Sequence, residues 1–404
     1  VGTVASVALL GHTTRTLPFL YLSLALFVLV YLVARRDRLA PSIASYVTSP
    51  AHAWRWAFLV WAIASLLWTA RSGLSLSRAG TVLQIQVLGW VFFDAALSGR
   101  TRWVAVGVFV SAVVGAALVL PAGGILASAG RASGIFGNPN GLAAVSLLGL
   151  CAFLSLGPSL RSRVWTTLAH VGALIIIAAI IASASRKGAM GVAVVWTCAL
   201  AFRETRKVAL IHVALAVAAG LLLYASSPSF RSYWATAVER SASVARLWTS
   251  MSVGSLSVAE RARYVREGFR LMWGSPLLGY GLDSFAWISN EGRCSHSNFV
   301  ELGVSLGIPG LLLYYGVHAA ILTRAFAARA WRTIEGRFAV IVVVAALSLD
   351  VGMISYSEKL PSLLLILLAG WVSASARASA PRRAGAAAGA PGPRGPRPAR
   401  RRTT

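Results

Sequence analysis

The residues best suited to chemistry lie in short polar segments between long apolar runs. Ser183-Ala184-Ser185-Arg186-Lys187-Gly188 places two adjacent cations in a minimal gap between two such runs. Burying part of that charge is costly unless an anion compensates it. A guanidinium suits a phosphate because its planar fork offers two parallel charge-assisted hydrogen bonds. Snorkelling to headgroups is the other reading of this pair.

Ser295-His296-Ser297-Asn298-Phe299-Val300-Glu301 leads into a further apolar run. With a helix starting near Asn298, His296 falls in the preceding turn and Glu301 in the first helical turn, so both can face one site. Such a pair is suited to general acid–base work, with structural polar packing as the alternative. The stretch from Arg131 to Gly141 contains two strong turn formers, Asn138-Pro139 and Asn140-Gly141. A rigid turn with Arg131 above it can hold a phosphate or a sugar, or merely connect two helices. Pro276-Leu277-Leu278-Gly279-Tyr280-Gly281 is a Gly/Pro loop and not a P-loop, since no Gly-Lys-Ser or Gly-Lys-Thr follows.

GxSxG, HExxH, kinase and Asp-x-Asp patterns are absent. Cys151, Cys198 and Cys294 show no paired spacing and the six histidines are scattered, so neither disulfide nor metal site is expected, and no cofactor.

The elements that must position these segments are membrane helices. Apolar runs such as Leu17 to Ala34, Trp103 to Leu120 and Val208 to Tyr224 have the length a bilayer core demands. An all-α polytopic integral membrane protein follows, with spans near 17–34, 54–70, 80–97, 103–121, 141–156, 167–184, 188–202, 207–226, 302–322, 338–354 and 360–376. Val1 to Leu10 reads as the remnant of a further span, which makes eleven or twelve. Gln84, Gln86 and Asp94 interrupt 80–97, which makes it the least secure.

Arginine clusters fall in every second gap, at Arg35-Arg36-Asp37-Arg38, Arg100/Arg102, Arg161/Arg163, Arg203/Arg206/Lys207 and Arg324 to Arg337. This alternation puts them in the cytoplasm. Arg131, Arg186 and Lys187 then lie on the opposite side, as do Arg71 and Arg78, which sit in no motif. The formal charge of +26 is thus mostly topology signal and contact with anionic lipid; no basic patch looks built for nucleic acid.

Four parts emerge: N-terminal helices over 1–226, a large extracytoplasmic loop over 227–298, C-terminal helices over 299–376, and an Arg/Pro/Ala/Gly-rich cytoplasmic tail over 377–404 that reads as disordered. Within the loop, Ser257 to Trp273 reads as a helix, with Ala262, Val265, Phe269 and Trp273 as an apolar stripe. Arg263, Arg266 and Arg270 line a neighbouring face, with Glu267 in pairing range of Arg263 and Arg270. It is either an interfacial helix or a solvated one laced with ion pairs.

Taken in order, these segments resemble the O-antigen ligase and polysaccharide polymerase superfamily of bacterial membrane proteins. Gly137-Asn138-Pro139-Asn140 is similar to the family's turn and Ser185-Arg186-Lys187-Gly188 to its serine-arginine-glycine segment. Pro276 to Gly281 is similar to the signature late in its external loop. His296 to Glu301, followed by Gly307-Ile308-Pro309-Gly310, is similar to the signature closing that loop. The resemblance covers about 130–315.

It implies a glycan polymerase or ligase at the outer face of the cytoplasmic membrane. Such an enzyme takes its saccharide from a polyprenyl-diphosphate donor and passes it to a hydroxyl of an acceptor glycan or lipid-linked glycan, without nucleotide sugar or metal. By that implication Arg186 is the first candidate for the diphosphate, with Arg131, Arg263 and Arg266 as further ones. His296 and Glu301 are then catalytic, and Asn138, Asn140 and Asn298 shape the turn and glycan contacts. Tyr314-Tyr315 and the His-Ser-Asn-Phe spacing resemble polymerases more than ligases. A flippase of lipid-linked glycan and a non-enzymatic assembly protein are the readings from other classes; the first usually shows internal repeats, and none is seen.

Overall fold

The structure is a computed structural model describing residues 26–387, apart from 27, 120–131, 134–137, 184, 239–255, 290, 328 and parts of 227–237. Among the described residues every regular element is helical. Helices α1 (Leu39–Thr48), α2 (Pro50–Ala64), α3 (Ser72–Leu97) and α4 (Thr101–Val119) are followed by α5 (Pro139–Leu156), α6 (Arg163–Ala182), α7 (Arg186–Ala201) and α8 (Arg203–Ser226). Then come α9 (Leu256–Gly274), the short α10 (Phe285–Ile288), α11 (Asn298–Ala327), α12 (Ile334–Asp350) and α13 (Lys359–Ala387).

Seven of these helices are long and apolar enough to cross a membrane, so the chain is a multi-pass membrane protein. Three others, α2, α7 and α12, occupy expected spans with 15, 16 and 17 residues. Most of the expected span at 17–34 lies outside the described residues, as does 388–404 of the tail; α13 itself continues to Ala387.

Helices α5 and α12 are apolar around nearly their whole circumference, and that pattern fits only an interior position. Leu142 through Leu156 are all buried on α5, and α12 packs between α5 and α7. Around them α13 lies along α3, α4 along α5, and α2 along α11. The insecure span is explained by its partners. Asp94 is buried on α3 because Arg35 (2.8 Å), Ser42 (2.6 Å) and Tyr31 all bond it. Gln86, also buried, meets His52 at 3.2 Å.

The largest departure from expectation is inside α11, where Gly307 takes φ 68° and ψ −173°. The ring of Phe299 stacks on that of Tyr315 at 4.7 Å. A continuous helix would hold these residues about 24 Å apart at 1.5 Å per residue. The chain therefore reverses at Gly307, and Asn298–Leu306 folds back along the segment that follows. The expected span at 302–322 is thus a short helix, a corner and a longer helix.

The Pro276–Gly281 segment grips this corner. Ile308 N donates to Pro276 O at 2.7 Å, Tyr280 N to Val304 O at 3.0 Å, and Gly281 N to Ser305 O at 2.9 Å. Trp61 Nε1 caps the corner by donating to Leu306 O at 2.9 Å.

Asn298 locks the other end of the fold-back. Its Nδ2 donates to Tyr315 Oη (3.0 Å) and Asp350 Oδ2 (3.2 Å), and its Oδ1 accepts from Ser355 N (3.0 Å) and Tyr356 N (3.1 Å). Replacing Asn298 with Ala leaves several buried groups without partners, each costing about 1–3 kcal/mol. Thermal denaturation of the solubilised protein should show a loss of about 3 kcal/mol or more. Tyr315→Phe, which removes one hydroxyl, should cost about 1 kcal/mol.

Candidate functional site

A cavity of about 490 Å³ opens where three helix N-termini converge. Asn138, Asn140 and Gly141 come from the start of α5, Lys187 from the first turn of α7, and Lys359, Leu360 and Pro361 from the first turn of α13. A helix N-terminus carries the positive end of its dipole, so residues of three such ends in one lining favour negative charge there. Arg78 and His296 complete the polar lining together with Glu358. Among the described lining residues Arg78, Lys187 and Lys359 are the permanent cations and Glu358 the carboxylate, with Asp283 pairing Arg78 from beside the cavity.

The turn and the two-cation segment were separate readings in the sequence and are joined here. Asn138 Oδ1 accepts from Asn140 N at 2.9 Å, which caps α5. Ser185 caps α7 by accepting from Gly188 N at 3.3 Å, and its hydroxyl donates to Asn140 Oδ1 at 3.0 Å. A Cβ on Gly188 would meet that of Ala143 at 2.9 Å, so the two helix starts approach as closely as they do because Gly188 has none.

The two cations divide in an unexpected way. Lys187 is buried and lines the cavity, its stem lying against Gly352, where a Cβ would come within 3.0 Å of Lys187 Cδ and Cε. Arg186, the first candidate from sequence, is half-buried and outside the lining. The first residue of a helix and the second point about 100° apart, and the second is the one turned inward.

Arg78 donates to Ser357 Oγ at 3.1 Å and pairs with Asp283 at 3.3 Å, which holds its guanidinium at the cavity wall. The sequence marked it only as a cation against the charge alternation. Nothing in the sequence reading pointed to Lys359 or Glu358.

His296 reaches the cavity from a backbone at φ 58°, a left-handed conformation that L-residues adopt at a cost. Burial, and then the charges of Lys187, Arg261 and Arg293, hold its imidazole below its ordinary pKa of 6.5. The neutral ring, competent to accept a proton, is therefore the resting form near neutrality.

Glu301 does not share that cavity. It is buried on the first turn of α11 and accepts from Ser295 N (3.2 Å), Ser295 Oγ (2.9 Å) and Ser305 Oγ (3.5 Å). By bonding Ser295 it holds the backbone next to His296. Asn298 is likewise consumed in the clamp and absent from the lining.

The loop helix α9 spans Leu256–Gly274, as the periodicity suggests, but shows a different face to the protein. Tyr264, Gly268 and Leu271 pack inward near Phe285 and Val300, while the stripe of Val265, Phe269 and Trp273 is exposed. Arg263 pairs with Glu291 at 2.6 Å, Arg270 takes Glu267 at 2.5 Å, and Arg266 is exposed. Neither Arg263 nor Arg266 lines the cavity. Arg131 lies outside the described residues. Among the described residues no group of three or more His, Cys, Asp and Glu side chains could hold a metal ion.

A family model described as O-antigen ligase matches residues 171–315, about a third of the chain. That stretch contributes Lys187, His296 and the Pro276–Gly281 clasp to the geometry above, while Arg78, Asn138, Asn140 and Lys359 lie outside it. No curated protein matches the chain.

Proposed function

We propose that this chain is a glycan polymerase or ligase of the O-antigen ligase type, which moves a saccharide from a polyprenyl-diphosphate donor to an acceptor hydroxyl at the outer face of the cytoplasmic membrane. The observation that carries this reading is the meeting of Lys187, Arg78, Lys359 and three helix N-termini with a neutral histidine in one cavity. The family match over 171–315 supports the class of reaction. The orientation rests on the arginine alternation, which sets the cavity opposite the basic clusters.

In this scheme the acceptor oxygen attacks the anomeric carbon while its proton passes to His296. The bond from the anomeric carbon to the diphosphate oxygen breaks, and the electron pair leaves with the diphosphate. Negative charge grows on that oxygen as the bond lengthens. Lys187, Arg78, Lys359 and the helix N-termini therefore stabilise the transition state more than the ground state. Glu301 and the Pro276–Gly281 clasp hold His296 and the corner in place. The polymerase form, in which the acceptor is itself a lipid-linked glycan, is favoured by the sequence likeness around Tyr314-Tyr315.

Purified protein in lipid nanodiscs, supplied with a polyprenyl-diphosphate glycan and an acceptor glycan, should release polyprenyl diphosphate and form a longer glycan. Transfer with His296→Gln should fall by about 10²- to 10⁴-fold. Because the His296 pKa is lowered, the neutral base persists as pH falls, and wild-type activity should drop only below pH 6.5. That acid limb should vanish from the residual activity of the variant. A wild-type protein that forms no product from any lipid-diphosphate glycan, or a variant with unchanged transfer, would overturn the reading.

A further inference from the structure

Away from the cavity, one buried cation has no counter-charge beside it among the described residues. Arg55 on α2 is 1% exposed, and Nε, Nη1 and Nη2 all lack a hydrogen-bond partner. The phenols of Tyr314 and Tyr46 and the imidazoles of His52 and His318 lie within electrostatic reach of it, and none of them is an anion near neutrality. Its Cζ lies 5.8 Å from the centre of the Tyr314 ring. A guanidinium does not give up its proton, and an aromatic face offsets only part of the cost of taking a full charge out of water. Asp94, on the neighbouring α3, is committed to Arg35, Ser42 and Tyr31.

The side chains around Arg55 present more donors than acceptors. His52 lies one turn before it on the same helix face and is fully buried. Gln86 Nε2 donates to His52 Nε2 at 3.2 Å, which leaves the ring proton on Nδ1, a donor without a partner. On the facing helix α11, His318 donates through Nδ1 to Tyr314 O at 3.3 Å and keeps an unpartnered Nε2 lone pair. Gln86 Oε1, on the residue that meets His52, is a further unpartnered acceptor among the described residues. These two neutral acceptors cannot balance a guanidinium plus an imidazole N–H.

We propose that Arg55 and His52, walled by the rings of Tyr46 and Tyr314, bind one small monovalent anion of the halide kind inside the helix bundle. A single permanent cation among aromatic walls matches a singly charged, weakly hydrated ion and not a phosphate dianion. The site braces α2 against α11 beneath the fold-back, because Tyr314 Oη bonds Ser355 Oγ at 3.0 Å and Ser355 bonds Asp350. It is distinct from the proposed diphosphate cavity and stands without it.

The test uses the full chain in nanodiscs, with sodium chloride or bromide titrated against sodium gluconate at constant ionic strength. Chloride and bromide should raise the melting temperature by several degrees with saturation, and chloride NMR signals should broaden with protein and sharpen on adding bromide. Arg55→Gln should abolish both effects. His52→Phe, which keeps the cation and removes one donor, should weaken half-saturation about tenfold, so the proposal stays testable if Arg55→Gln does not fold. A wild-type melting temperature equal in chloride and gluconate means water alone serves these groups, and the proposal fails. It fails equally if Arg55→Gln and His52→Phe keep the wild-type halide response.

Discussion

Lys187→Ala should lower glycan transfer by about 10²- to 10³-fold, the loss that accompanies removal of one oriented stabiliser of developing negative charge. Arg186→Ala should stay within about tenfold of wild type. The contrast follows from where the two side chains lie: Lys187 is buried with its stem against Gly352 and lines the cavity, while Arg186 does not line it. At 1.36 kcal/mol per factor of ten, the expected loss is about 3–4 kcal/mol of transition-state stabilisation. It should appear chiefly in kcat, since the leaving diphosphate gains its charge only as the bond breaks. Lys187→Arg should recover part of the activity, because it keeps the charge while its larger head must fit beyond the same packed stem. Circular dichroism and melting curves on each variant separate a lost contact from a lost fold. If Arg186→Ala is the more damaging change, the cavity is not the diphosphate site.

That contrast also marks where sequence reasoning stops. Arg78 and Lys187 stand out in the sequence only as two of several cations against the charge alternation, a signal that is local and countable. Which of two neighbours points inward depends on the register of α7 against α5, which Ser185 and Gly188 set through contacts with Asn140 and Ala143. Arg78 was visible as an anomaly without a motif, since its partners Asp283 and Ser357 lie 205 and 279 residues away. The bounds of α9 were legible because helical periodicity survives in one dimension. Its inward face was not, because Tyr264, Gly268 and Leu271 are selected by Phe285 and Val300, which arrive from later elements. Asn298 read as a glycan or turn contact for the same reason, since Asp350 and Ser355, which it bonds, lie 52 and 57 residues away. Glu301 read as a catalytic group, and it bonds Ser295 and Ser305 close by in the chain.

Gly307→Ala should be the most damaging single change to the fold, costing about 3 kcal/mol or more and abolishing transfer although Gly307 touches no proposed substrate. The combination φ 68° and ψ −173° is one that essentially only glycine adopts, and forcing another residue into it costs about 1–3 kcal/mol. A methyl group adds a second penalty, because a Cβ would sit 2.7 Å from Pro276 O and 2.8 Å from Leu277 C and O. These are backbone atoms of the clasp, which cannot swing aside as a flexible side chain could. Relief requires opening the bond from Ile308 N to Pro276 O, and with it the grip that holds the fold-back. Gly279 sits opposite at φ 65°, and its own Cβ would come within 2.5 Å of Ser305 C and O. Gly279→Ala should therefore mimic Gly307→Ala in both melting temperature and activity. Gly73→Ala provides the control, since nothing lies within 4 Å of its Cβ and alanine gains up to about 1 kcal/mol over glycine within a helix. If Gly307→Ala melts with Gly73→Ala and still transfers glycan, the reversal at residue 307 does not hold the site together. Helix α11 would then have to present His296 without its corner.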